Sequence, residues 1–139
     1  MKYVCASLIV FSLLFCLVSC TQDPYKGKRP RDYGDARWVS VSPDIYFDIH
    51  DYNGSTERYK IKGVLKYKNQ TIEIEVGFEK KSTEVMFIKD NNQHEVLFLG
   101  KCVFSSDKLV VSVEPEYDYL FDGSIKEVTF IKQALPDEL

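Results

Sequence analysis

One stretch constrains the fold of this chain more than any other: Thr71-Ile72-Glu73-Ile74-Glu75-Val76-Gly77-Phe78-Glu79. Ile72, Ile74, Val76 and Phe78 alternate with Thr71, Glu73, Glu75 and Glu79. A helix would scatter these residues around its circumference, whereas an extended strand sorts them into one apolar and one charged face. The preceding residues repeat the pattern with cations: Tyr59, Ile61, Gly63, Leu65 and Tyr67 alternate with Lys60, Lys62, Val64, Lys66 and Lys68. A two-residue turn at Asn69-Gln70 would place Lys66 opposite Glu73, Lys60 opposite Glu79, Leu65 opposite Ile74 and Ile61 opposite Phe78. The Lys and Glu rows then read as the wet face of a hairpin and not as an ion-binding site.

Further strands are expected at Arg37–Ser42, around Ile45, Phe47 and Ile49, at Glu84–Lys89, Glu95–Phe104, Lys108–Val113 and Ile125–Lys132. In Glu95–Phe104 both faces carry apolar residues, with Leu97, Leu99 and Val103 behind Val96, Phe98 and Cys102, so cover on both sides is expected. Polar reversals separate the strands at 51–55, 90–92 and 105–107. The one longer connection, Pro115 to Gly123, offers Tyr117, Tyr119, Leu120 and Phe121 as a helical turn plugging an open end. About eight short antiparallel strands must bury one face and limit their edges. An all-β meander closed into a small barrel satisfies both needs, with a two-layer β-sandwich as the alternative. The many inward Phe, Tyr and Ile favour a mostly filled interior.

The first twenty residues differ from the rest. Lys2 precedes an apolar run from Val4 to Leu17, shorter than the roughly 20 residues a spanning helix needs. The run ends in Leu17-Val18-Ser19-Cys20, which resembles the lipobox of bacterial lipoproteins. That resemblance implies removal of residues 1–19 as a signal peptide and acylation, by a palmitate-type chain, of the Cys20 thiol. Of the four cysteines, Cys5 and Cys16 would leave with the signal and Cys20 would carry lipid. Cys102 would remain without a partner, as a small buried hydrophobe. The formal charge of −3 becomes −4 without Lys2, which gives no electrostatic reason to seek nucleic acid. Residues 20–36 read as a lipidated N-terminus and flexible linker, rich in Pro and Gly and without apolar periodicity. Its cations Lys26, Lys28, Arg29 and Arg31 are read first as a solvated spacer, with attraction to an anionic membrane as the second reading. The β domain is expected over 37–133 and a C-terminal tail over 134–139.

Within the β domain, Trp38-Val39-Ser40 with Pro43, Ile45-Tyr46-Phe47, Gly63-Val64-Leu65, the run from Leu97 to Phe104, and Leu120-Phe121-Asp122-Gly123 before Val128-Thr129-Phe130 resemble small bacterial lipoproteins with lipocalin-like barrel domains. The resemblance implies a fold and a surface location and no activity. Lipocalins proper carry Gly-x-Trp before their first strand. Here Ala36-Arg37-Trp38 lacks the glycine, so no binding residues carry over.

Other candidate sites have plainer readings. The segment from Asp51 to Glu57 starts like a calcium loop, but the sixth and twelfth positions hold Thr56 and Lys62, and strands flank it. Glu114, Glu116, Asp118 and Asp122 read as a solvated loop. His50 and His94 lack partners at zinc-ligand spacing. Tyr46, Tyr59, Tyr67, Tyr117 and Tyr119 are candidates for the rim of a ligand mouth, with packing as the simpler role. No nucleophile elbow, phosphate loop or dinucleotide fingerprint occurs, and no cofactor is expected. The expected function is a non-enzymatic lipoprotein on the outer face of a bacterial cell membrane, anchored through acylated Cys20 and binding a small ligand or an envelope protein. The rival expectation is an envelope enzyme or inhibitor acting on wall material.

Overall fold

The computed structural model describes residues 22–50 and 61–137. The expected signal peptide, Cys20, Tyr59 and the calcium-like loop lie outside the described residues. Eight antiparallel strands close into a barrel in strict chain order: β1 (Ala36–Ser40), β2 (Asp44–Ile49), β3 (Ile61–Tyr67), β4 (Gln70–Phe78), β5 (Glu84–Lys89), β6 (Val96–Phe104), β7 (Lys108–Asp118) and β8 (Glu127–Gln133). Strand β8 pairs with β1 through Arg37↔Gln133, Trp38↔Lys132 and Val39↔Ile131, so neither strand is left as an edge. This is the barrel that alternation predicts, and the sandwich alternative falls away.

The register corrects the expected hairpin. The β3–β4 turn is Lys68-Asn69, both at positive φ (46° and 63°), and not Asn69-Gln70. A tight hairpin of this kind needs two left-handed residues, and Asn takes the second place instead of the first. The pairs become Lys62↔Glu75, Leu65↔Ile72 and Ile61↔Val76. Moving the turn by one residue shifts the pairing by two, so the apolar and charged faces survive while every individual partner changes. Gly63 is required by close approach: a Cβ there would meet the Tyr46 carbonyl and lie 2.9 Å from the Phe47 Cα on β2.

Two bulges shape β6. At the first, Phe87 faces Phe98 but Ile88 faces Val96, so Leu97 is an extra residue. Leu97 and Phe98 are therefore both buried although they are consecutive. At the second, Phe98 faces Asp118 while Gly100 faces Val113, leaving Glu114 to Tyr117 opposite Leu99 alone. Pro115 sits in this looped-out stretch, where its missing N–H interrupts no ladder. The expected cover on both sides of β6 fails: Val103 is 70% exposed, and past the bulge the outer face meets solvent.

The interior is a packed aromatic column. Phe87 stacks on Phe98 (centroids 4.3 Å, 13°) and on Phe130 (6.0 Å, 8°), and Phe130 meets Phe47 edge-on at 5.1 Å. Each such pair adds about 0.5–1.5 kcal/mol beyond the area it buries. Trp38, Ile45, Leu65, Ile74, Leu109, Val111 and Val128 fill the space around them and are fully excluded from solvent. The indole N–H of Trp38 is buried without a hydrogen-bond partner.

Candidate functional site

Three surfaces could carry function: the end holding the β3–β4 and β7–β8 connections, the opposite end, and the outer wall. At the first end, the expected tyrosine mouth is stoppered. Strand β7 continues to Asp118, through the first half of the expected helical turn from Pro115 to Gly123, and no helix forms there. The looped-out residues find strand geometry beside β6 instead. Asp118 then closes a polar turn: Oδ1 accepts from the N–H groups of Leu120 (3.1 Å) and Phe121 (2.7 Å), and Oδ2 from Gly123 (3.0 Å). The turn drives Phe121 into the barrel, where it is fully buried against Phe98 (4.9 Å) and edge-on to Tyr67 (5.1 Å, 90°). The Tyr67 hydroxyl shares a 3.0 Å hydrogen bond with Ser124 Oγ, whose hydroxyl donates in turn to the Phe121 carbonyl. Tyr67 thus fastens the plug. Tyr117 and Tyr119 stand exposed beside it. Tyr46 is elsewhere, on the outer wall of β2, with the Arg37 guanidinium 4.0 Å above its ring. The structure therefore brings Tyr67, Tyr117 and Tyr119 to one end and leaves Tyr46 apart.

The opposite end is covered by the segment expected as a spacer. Residues 23–33 fold against the barrel because Arg29 is 2% exposed and fully engaged. Its Nη1 donates to Asp23 Oδ2 at 2.6 Å, and Nη2 reaches the carbonyls of Glu79 (3.4 Å) and Ser82 (3.5 Å) in the β4–β5 turn. The Asp32 carboxylate accepts the Arg29 backbone N–H at 3.0 Å and starts a 3-10 helix, Pro30–Tyr33. Tyr25 packs edge-on to Phe104 at 5.9 Å, and Lys132 Nζ donates to the Tyr33 carbonyl at 2.9 Å. The Arg29 hydrogen bond, followed by the Tyr25 N–H, holds the Asp23 carboxyl below its usual range. Composition could not separate Arg29 from its exposed neighbours. The flanking acids Asp23 and Asp32 are the signal that could have done so.

The outer wall is unequal around its girth. Around β3 and β4 it is ionic: Lys62 bonds Asp90 at 2.8 Å, and Asp48 receives a bidentate pair from Arg37 (2.7 and 2.8 Å). Asp48 raises the Arg37 pKa, and Asp90 raises that of Lys62. A shallow recess of about 320 Å³ lies here, between Tyr46, Lys62, Glu73 and Asp90. Around β6, β7, β8 and β1 the outward residues are mixed: Val103, Val110, Ile131 and Val39 stand among Lys101, Lys108, Ser112, Glu127, Thr129 and Arg37. Val103 faces Val110, and Ile131, 47% exposed, faces Val39, which in turn faces Tyr46. Beside these residues the second bulge leaves a recess of about 450 Å³, lined by Lys101, Ser112, Val113, Glu114, Pro115 and Glu116. Of the four outward apolar residues, only Val103 is expected from the sequence to be covered.

Cys102 is buried under the β4–β5 turn, its N–H donating to the Thr83 carbonyl at 2.8 Å, and burial pushes its thiol up to about 12. Such a thiol is protonated at neutral pH and is a poor nucleophile. Among the described residues no three His, Cys, Asp or Glu side chains gather as metal ligands, and no helix is long and apolar enough to cross a membrane. Comparison of the chain with models of known families, with curated proteins and with solved structures gives no match in any of the three.

Proposed function

We propose that this chain is a lipid-anchored lipoprotein of the cell envelope whose barrel serves as a non-enzymatic binding module for a partner protein. One observation supports the binding reading above the others. The barrel spends its interior on an aromatic core and leaves Val103 and Ile131 exposed on its outer wall, with Val110 and Val39 half-buried beside them. Exposed apolar groups gathered in one patch are characteristic of protein contact sites. The ionic wall on β3 and β4 offers no comparable desolvation gain. The anchor rests on Leu17-Val18-Ser19-Cys20 alone. Bacterial origin and a lipocalin-like barrel belong to the same proposal, and the sequential eight-strand connection supports the second. A small apolar ligand is the second reading, and the recess beside Pro115 favours it.

The test is site-specific photo-cross-linking in cells, with the probe at Val103 or, separately, at Glu73. The expected result is a discrete adduct from Val103 that disappears when Ile131→Glu is added, with an unchanged unfolding midpoint. Equal capture from Glu73 would sink this patch as the contact surface. The anchor is tested by metabolic labelling with a palmitate analogue, which Cys20→Ala should abolish.

A further inference from the structure

We propose that the end of the barrel covered by residues 23–33 is a docking face for an anionic phospholipid surface, so that the barrel stands on the membrane with its Phe121 end outward. This deepens the lipoprotein reading and rests on it for the position of the anchor. The fold assembles the face from two distant parts of the chain. Arg29 is consumed internally, but its bonds to the Glu79 and Ser82 carbonyls carry the β4–β5 turn to the N-terminal segment. Lys80 and Lys81, at the tip of that turn, thereby join Lys26 and Lys28, and all four are exposed.

Charge is concentrated there against the trend of the molecule. Residues 23–33 and 79–82 hold six cations and three carboxylates, a formal +3, within a chain of formal charge −3. Two of those carboxylates are already engaged, Asp23 with the Arg29 guanidinium and Asp32 with the Arg29 N–H. A bilayer of anionic lipid is the complementary partner, and each cation near such a surface raises partition by roughly fivefold.

Chain length selects the same face. From Cys20 to Asp23 there are three Cα–Cα steps, a reach of at most about 11 Å. Asp23 is pinned to Arg29, so an acyl group on Cys20 would hold this end within that distance of the lipid surface. One acyl signal gives marginal anchoring, and a basic surface supplies the second signal that stable anchoring requires.

The experiment uses the full chain, expressed with its processing machinery, purified from membranes and reconstituted in vesicles of phosphatidylcholine with or without phosphatidylglycerol. A fluorophore at Ser106→Cys reports the docking end and one at Asn92→Cys the far end, with nitroxide headgroup lipids as quencher. Quenching at Ser106 should exceed that at Asn92 several-fold when phosphatidylglycerol is present. Combining Lys26→Gln, Lys28→Gln, Lys80→Gln and Lys81→Gln, or raising the salt, should bring that excess down to the smaller one that the tether alone gives in phosphatidylcholine, while the unfolding midpoint holds. An excess that ignores both the substitutions and salt overturns the docking face. Failure of the anchor reads out separately, as absence of palmitate-analogue incorporation. In that case co-sedimentation of the unlipidated protein with the same anionic vesicles decides. Salt-sensitive binding lowered tenfold or more by the four substitutions upholds the face, and no binding overturns it.

Discussion

The two ends of the barrel are closed by opposite means. One is stoppered by Phe121, delivered by the barrel's own β7–β8 connection and held by ring contacts. The other is covered by a segment preceding β1 and fastened by Arg29 through one carboxylate and two carbonyls. The ring contacts of the plug gain from area and contain no titrating group, although the turn that delivers the ring is hydrogen-bonded by Asp118. A guanidinium lock gains most while the Asp23 carboxylate is ionised and the two carbonyls are in place. The same task of keeping water from an aromatic column is therefore met once by non-directional packing and once by directional chemistry.

The largest expected effect comes from removing the aromatic plug. Phe121→Ala should cost about 3–5 kcal/mol, because the ring is fully buried and its site cannot collapse around a turn held by Asp118. Equilibrium urea unfolding measures it; a loss below about 1 kcal/mol would mean the end is not closed by that ring. Arg29→Ala should cost less, about 1–3 kcal/mol, since Asp23 keeps some access to water when its partner goes. An equal or greater loss would make the polar lock the stronger closure and invert the comparison.

The pH dependence separates the ends further. Asp23 has a lowered pKa in the folded state. Its contribution is therefore fully present above the unfolded value near about 3.9 and is lost as pH falls through the lower folded value. Asp23→Asn should flatten the acid limb of a stability–pH curve, whereas Phe121→Ala should lower the curve without changing its shape. Acid limbs of identical slope in the wild type and in Asp23→Asn would remove Asp23 from the lock. The smallest effect is kinetic. Cys102 lies two residues from Phe104, which Tyr25 covers, and burial holds its thiol near 12. With the other three cysteines replaced by serine, alkylation at neutral pH should be slow in the native state. It should accelerate more in Arg29→Ala than in a Phe121 variant of matched stability. The reverse order would mean that solvent reaches Cys102 from the Phe121 end.

Most of the barrel was legible because alternation is a local signal. Strand β5 falls at Glu84–Lys89 as its sequence predicts, and the faces of β3 and β4 are correct even though the turn is displaced by one residue. Face depends on parity alone, whereas partner identity depends on which residues accept positive φ, and Lys68 gives no signal of that. The extension of β7 through Pro115 was illegible for a related reason. Four residues looped out against one is a tertiary accommodation, and proline argues locally for a turn. The covering segment before β1 is not legible in the sequence, because polar composition describes a solvated linker and a hydrogen-bonded lid equally well. Only the positions of Glu79 and Ser82, some fifty residues later, distinguish them. Of the candidate mouth, the tyrosines at 67, 117 and 119 do gather at one end, but Tyr67 seals what it was expected to line.

The order of the strands has a consequence for how the chain assembles. Every neighbouring pair but one joins consecutive strands and can zip from its own connection. The exception is β1 with β8, whose partners are more than ninety positions apart and meet only at Arg37↔Gln133, Trp38↔Lys132 and Val39↔Ile131. That seam carries the largest loop-closure entropy and the shortest ladder, so it closes last. Until it does, an otherwise complete sheet presents two open edges, and crowded nascent chains can exchange strands there.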